Sequence, residues 1–430
     1  MMEDCVNEFA DSPLSSQFDT MSFFLHYGAD SSAELDLDEA TLVAECGVPQ
    51  KEALADPEGE VETALSCPLG FPPLGQATVA GDHVVLVLEQ AVPQGARGVA
   101  AAVRVLIEAG IEPEDITVLR TATDVEAGAE NPCSLISEPI QQRIQLRTHD
   151  PTDRDEMAYL AASRSGEPVL LNRAITDADV VVPIGCLRSQ RTPGYYGIFS
   201  TLFPTFSDQK TQARYRGQVL HGRNRRQQRR LSEEVEEVGW LLGAAFTVQV
   251  VPGPRGQILG VVAGEVGSVG RRGQELYDAA WNWSVDRQAS LVVVSIEGGT
   301  VQQTWHNLGR ALEVAAPLVE EGGAIAVCSS LAVAPAAGIR LLASAASRSE
   351  ALLQIDNEPP EDVVPARQLA AAQERARVYL LSELEETLVE DLEMVPIGQP
   401  SELARLARQH ASCLLLSNAP YAVVHVREEG

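Results

Sequence analysis

The sequence predicts an α/β protein of two domains with a ligand cleft between them, and three observations carry that expectation. Its 430 residues, 45% of them apolar, exceed one ordinary core and suit two domains of about 150–250 residues each. From about residue 80, short β-branched runs alternate with helix-period stretches, the pattern of βαβ units. A second such series starts with SLVVVSIEGG at 290–299. The boundary is expected between 264 and 288, giving an N-terminal domain over 21–268 and a C-terminal domain over 269–430 whose last strand can pack back on the first. Residues 1–20, with DSPLSS and no apolar period, read as a disordered acidic tail that cannot bury enough surface to offset its backbone entropy.

The elements follow in order. HVVLVL (83–88) is a strand, the Ala-rich stretch 96–110 a helix closed by Gly110, and ITVLRT (116–121) the next strand. ADVVVPIG (178–185) is apolar throughout, as a strand covered on both faces must be, and opens into the loop RSQRTPGYYGIF. The stretch 214–230 holds seven Arg and no acid, and SEEVEE (232–237) is expected to cap and start a helix. FTVQVVP and QILGVVAGE read as strands, and 267–285 as a helix. The second series places helices at 301–319 and 399–411, and strands at AIAVCSS, RVYLLSE (377–383) and SCLLLSN.

The formal charge of −29 argues against a nucleic acid or an anionic membrane as partner, because both are held through Lys/Arg contacts. Half the excess lies in residues 1–62, which hold sixteen acids and one base. No apolar run reaches 18 residues, and the acidic start is no signal peptide, so a cytoplasmic location is expected. Seven scattered cysteines without a CxxC pair fit a reducing compartment, with Cys186, beside Gly185 at a strand end, the one to watch. Only Lys51 and Lys210 offer an amine for covalent chemistry.

Ligands of open α/β sheets lie beyond the carboxyl ends of the strands, which singles out EQAVPQG (89–95), TATDVEAG (121–128), CLRSQRTPGYYG (186–197) and IEGGT (296–300). Neither GxGxxG nor GxxxxGK[ST] nor HExxH is present. His149 beside Asp150 is a candidate acid–base pair, or a turn before Pro151. His306 and Arg310 share a helix face and can hold a carboxylate together, or simply face solvent. The Arg stretch suits a salt-bridge surface, a small anion or, less well, nucleic acid.

The order of motifs resembles the nickel-pincer lactate racemase family from about residue 21 on. The likeness rests on HYG (26–28), ETALSCPLGFPPL (62–74), THD (148–150), GEPVLLNRAITDADVVVPIG (166–185), VVAGE, SIEGGT, the helix ending in EEGG, and RQLAAAQERARVYLLSEL. The resemblance implies the lactate racemase type of two-domain α/β fold, an interdomain cleft, and a hydroxy acid that gives hydride to a pincer nucleotide while a His takes the hydroxyl proton. It also implies an anchoring Lys, a nickel-ligating His and a substrate-gripping Arg. Matched through the motifs, those positions hold other residues: Gln90 for the Arg, no His in TATDVEAG, Gln190 for the second catalytic His, Ser200 for the Lys and Arg216 for the nickel ligand. Lys210 is the one displaced anchor to consider. His306, Asn307 and Arg310 fall on the family's Tyr, Gln and Lys.

The expected function is therefore the binding of a small carboxylate or nucleotide by a pseudoenzyme of this family, through Gln90, Arg188, Asn307 and Arg310, with Gln190, Ser200 and Arg216 at the cofactor positions. No metal site is expected and no cofactor is assigned. The alternative is a divergent 2-hydroxy-acid racemase or epimerase, an isomerase using His149 or His306.

Overall fold

The computed structural model describes residues 20–220 and 225–427. Two six-stranded sheets organise them. In the first, the order is Ile258–Glu265, Phe246–Pro252, Val180–Cys186, Val84–Leu88, Ile116–Thr121, Gln145–His149, parallel except at the antiparallel edge strand Ile258–Glu265. The second runs Val395–Ile397, Arg377–Leu381, Val319–Cys328, Ala289–Ser295, Cys413–Leu416, Leu42–Cys46, all parallel. All five residues of Val84–Leu88 are buried, as the unbroken apolar run requires of a strand covered on both faces. The helix Gly95–Glu108 supplies one cover, setting Val99, Val103 and Leu106 on the sheet.

The start of the chain departs from the expected domain over 21–268. The strand Leu42–Cys46 completes the second sheet, beside Cys413–Leu416. The hairpin of Thr20–Tyr27 and Ser31–Asp38 lays Leu25, Leu35 and Leu37 over Leu291, Val293 and Leu415 of that sheet. Without this cover those side chains would face water, so burial draws the first strands to the last sheet. Gly47 then turns the chain away at φ +87, where a Cβ would meet the Ser417 carbonyl oxygen at 1.8 Å. The expected tail, apart from Thr20, lies outside the described residues.

Two further expectations change. SEEVEE lies inside one helix, Arg225–Leu241, rather than opening it. Its acids answer the bases in place: Arg229 Nε is 2.9 Å from Glu233 Oε1 one turn on, and Arg214 holds Glu234 with two bonds of 3.1 and 2.6 Å. Part of the Arg stretch thus serves a salt-bridge surface, while 221–224 lie outside the described residues. The helix expected over 267–285 ends at Trp281, because Asn282–Val285 forms a strand beside Val423–Val426.

His149 is buried at the end of its strand, with Nε2 3.0 Å from the Ser207 carbonyl oxygen and Nδ1 3.2 Å from Asn172 Nδ2. Asp150 accepts from the backbone and hydroxyl of Thr152, closing a turn. Of the two readings of this pair, the geometry shows the turn. No helix among the described residues is long and apolar enough to cross a membrane.

Gly47→Ala tests the tie between the first strands and the last sheet. The positive φ alone costs about 1–3 kcal/mol and the backbone clash adds to it, so urea denaturation is expected to show a loss of at least that size. Gly81→Ala, also at positive φ but with open space around the added methyl group, is expected to lose only the strain.

Candidate functional site

The crevice forms where strand ends of both sheets meet, as the topology of open α/β sheets requires. Lobe one contributes Glu89 and Gln90 after Val84–Leu88, and Arg188 after Val180–Cys186. Lobe two contributes Glu297 after Ala289–Ser295, Tyr421 after Cys413–Leu416, and the helix Trp305–Ala315. Four contacts join the lobes here: Arg255 Nε to Glu297 Oε2 at 3.4 Å, Arg191 Nη1 to His425 Nδ1 at 3.2 Å, the Tyr277 hydroxyl donating to the Tyr421 carbonyl at 2.6 Å, and the strand pair of 282–285 with 423–426.

The helix Trp305–Ala315 is set by its sequence. Thr304 caps it by accepting from Asn307 N, and Leu308, Ala311, Leu312 and Ala315 form its buried stripe. Gly309 lets it lie against the helix Val363–Arg375, since a Cβ there would meet Pro365 Cα at 2.8 Å. His306, Arg310 and Glu313 recur at helical spacing on another face, and Arg310 and Glu313 line a cavity of about 190 Å³ with Tyr277, Tyr421, Arg191 and His425. Among the described residues Arg310 makes no ion pair and no hydrogen bond. Burial and the nearby Arg188 push its pKa down to about 10. The same setting strips water from His306, and with Arg310 repelling its charged form the imidazole pKa falls to about 4, although its edge stays exposed.

Arg188 is engaged differently. Its Nη1 lies 2.7 Å from Glu89 Oε1, and Nη2 donates to the Gln90 carbonyl at 3.3 Å. The other Glu89 oxygen accepts from Cys186 N at 2.9 Å and from the Thr201 hydroxyl at 3.3 Å. Burial pushes the Cys186 thiol up to about 12, so it stays protonated and is no nucleophile. The loop after Glu89 holds Ala91 and Gln94 at positive φ, with Asp124 accepting from Ala91 N at 3.0 Å. Strain of this kind gathers where a loop is held for a purpose.

The structure thus brings together Gln90, through its carbonyl, with Arg188 and Arg310, and sets His306 and Asn307 one turn before Arg310. Asn307 spends its amide on the Gln302 carbonyl at 2.8 Å. Gln190 is exposed and lines a separate cavity of about 590 Å³ with Tyr195, Phe199 and Trp240. Ser200 is buried and accepts from Tyr196 N at 2.8 Å. Arg216 packs near Glu361, with burial lowering its pKa, while His149 is held by Ser207 and Asn172. Lys210 is exposed at the start of its helix, its N donating to Asp208. Sequence reasoning missed Glu89, Tyr277, Glu313 and Tyr421. The buried carboxylate had one legible sign, an acid directly after an all-apolar strand.

These features define a mixed α/β protein built on two six-stranded sheets. Residues 27–227 match the model of the lactate racemase N-terminal domain. The structure of the lactate racemase apoprotein from Thermoanaerobacterium thermosaccharolyticum superposes with a TM-score of 0.73 at 16% identity, over 95% of this chain and all of that one. A Thermotoga maritima protein of known structure aligns with a TM-score of 0.62 at 13% identity, over 87% of this chain and 99% of that one. No curated protein matches the sequence. Residues 27–227 thus carry a lactate racemase N-terminal domain, and the fold is that of the lactate racemase apoprotein.

The His306 titration checks the site's electrostatics. Its NMR midpoint is expected near 4, and an anion bound at Arg310 is expected to raise it. Between that value and the unfolded value of about 6.5, the unfolded chain holds the proton and the folded one does not, so stability falls as pH drops through this window. His149, also lowered by burial, acts in the same direction. In urea denaturation, His306→Gln is expected to lose less stability between pH 7 and pH 5 than the parent does.

Proposed function

We propose that this chain is a binding member of the lactate racemase family in which pincer-dependent racemisation is lost and the interlobe cleft holds a small carboxylate. The observation that carries the reading is the Arg310 guanidinium, without an ion pair among the described residues, in a cavity of about 190 Å³. Pockets for drug-sized ligands hold about 300–1,000 Å³, so this one suits a molecule of a few heavy atoms. A guanidinium offers a carboxylate two parallel bonds. A nucleotide is the second ligand class: a neighbouring cavity of about 670 Å³ shares Arg191 and Glu313 and adds Arg367 and Arg375.

The residues present do not fit the family's nickel pincer nucleotide. A permanently charged guanidinium at 216 cannot ligate a metal ion, and Ser200 offers no amine. Among the described residues no group of three His, Cys, Asp or Glu is arranged to hold a metal ion. The racemase alternative leans on His306 beside Arg310. A pKa near 4 makes that imidazole a weak base at neutral pH, and Gln190 is no base at all. A charge of −29 speaks against nucleic acid or an anionic membrane as partner, and six free cysteines among the described residues favour a cytoplasmic setting.

Thermal denaturation with pyruvate, lactate or AMP tests the reading. At about 100 times Kd, linkage adds about 2.7 kcal/mol and raises the melting temperature by several degrees. Arg310→Ala is expected to weaken carboxylate binding about 10- to 100-fold. Protein produced with nickel and the family's cofactor-making machinery is expected to carry no stoichiometric nickel and to leave D-lactate unconverted. Nickel at one equivalent with racemisation would instead establish the alternative.

A further inference from the structure

The cavity of about 190 Å³ is lined by charges of both signs: the guanidinium groups of Arg310 and Arg191 and the carboxylate of Glu313. Arg310 and Glu313 lie three residues apart on the helix Trp305–Ala315, a spacing at which opposite charges on a helix ordinarily pair. No ion pair joins them here, because the carboxylate is drawn aside by the helix Val363–Arg375, whose Gln368 Nε2 donates to Glu313 Oε2 at 2.8 Å. That amide is itself fixed. Gln368 is buried, and its carbonyl oxygen lies against Gly309, where a Cβ would meet it at 2.2 Å. Glu313 Oε1 accepts no hydrogen bond among the described residues, and the side chain is exposed in the cavity wall. Arg191 stands apart from this couple: it is exposed, and its Nη1 lies 3.2 Å from His425 Nδ1. The cavity thus holds a cation and an anion on one helix and keeps them from neutralising each other.

We propose that this cavity binds an α-amino acid as its zwitterion, with the carboxylate on Arg310 and the ammonium on Glu313. The proposal rests on the cleft-binding reading above and sharpens it, naming an amino acid where that reading names a small carboxylate. A hydroxy acid or keto acid would satisfy Arg310 but leave Glu313 facing an uncharged oxygen. An ammonium gives Glu313 a hydrogen bond between two charged groups, roughly twice as strong as a neutral one. The wall around Val314, Pro420 and Ala422 is apolar and suits a short aliphatic side chain rather than a further charge. Because Arg191 is exposed, water screens its charge, and the couple that reads the ligand is Arg310 and Glu313.

Alanine and lactate have the same number of non-hydrogen atoms and differ by an ammonium in place of a hydroxyl, so calorimetric titration with the L forms at neutral pH and fixed ionic strength reads the selectivity directly. The parent protein is expected to bind alanine at least about tenfold more tightly than lactate. In Glu313→Gln, which keeps an acceptor for Gln368 and removes the charge, alanine is expected to weaken by about tenfold or more while lactate changes by less than about threefold. Arg310→Gln is expected to weaken both ligands alike. A merely structural role for Glu313 would move the two ligands together, so an unchanged alanine-to-lactate ratio in Glu313→Gln overturns the ammonium site and leaves the cleft reading standing. Should that variant not fold by circular dichroism, the parent's own ratio decides, and lactate binding as tightly as alanine overturns the proposal. If the parent binds neither alanine nor lactate, the proposal falls; if pyruvate fails as well, the cleft reading falls with it.

Discussion

The parallel ladder between Leu42–Cys46 and Cys413–Leu416 is the constraint on which the arrangement of the lobes depends. It places the beginning of the chain in the sheet that the end of the chain completes. Everything between about residue 57 and Trp281 then has to leave the second lobe, build the first and come back. Both crossings are tied down. On the way out, Gly47 packs on the Ser417 backbone and Leu54 N donates to the Ile258 carbonyl at 2.8 Å. On the way back, Asn282–Val285 pairs with Val423–Val426. Two crossings restrict relative motion of the lobes far more than one linker would, so the strand ends that line the crevice meet in a defined register and small clusters of charge there can act on a ligand.

Within that crevice lie two ion pairs, Glu89–Arg188 and Glu297–Arg255, and around the cavity Arg191, Arg310 and Glu313. Glu89 and Arg188 satisfy each other and the backbone around them, which stiffens the strand ends of lobe one. Arg310 comes from lobe two, on a helix whose opposite stripe is locked into the core by Leu308 and Leu312. The rigid pair and the rigid helix leave little of the cost of organising an anion site to the ligand. Burial first, and the neighbouring positive charge second, lower the pKa of both His306 and Arg310.

Much of the fold was legible in the sequence because fully covered strands have no polar alternation to confuse them. HVVLVL, ITVLRT, FTVQVVP and SCLLLSN each became a strand at the expected place. Residues 21–46 were misassigned because a hairpin's neighbours in the chain need not be its neighbours in space. Nothing local in LVAEC says which sheet it completes. SEEVEE failed for a related reason: an acid run after an Arg run looks like a helix start until the bases one turn earlier are allowed to pair with it. In the crevice, Arg188 and Arg310 occupy the strand-end and helix-face positions that the sequence singled out. Glu89 and Tyr421 were not, because their roles exist only once strands far apart in sequence lie side by side.

On the binding reading, the positions matched to the family's reacting groups show how a fold can outlast a chemistry. Gln90 and Gln190 are exposed residues on strand-end loops, where a substitution costs the core nothing. Ser200 and Arg216 do structural work: the Ser200 hydroxyl satisfies Tyr196 N, and the Arg216 guanidinium lies half-buried near Glu361. A lysine at 200 would bury an ammonium and remove the acceptor for Tyr196 N, a penalty of several kcal/mol. On the binding reading, the family's reacting positions have thus been absorbed into packing on one side and released to solvent on the other. The helix carrying Arg310 draws its stability from its buried stripe and its Thr304 cap, so the face that bears the cation is not needed to hold the helix in place.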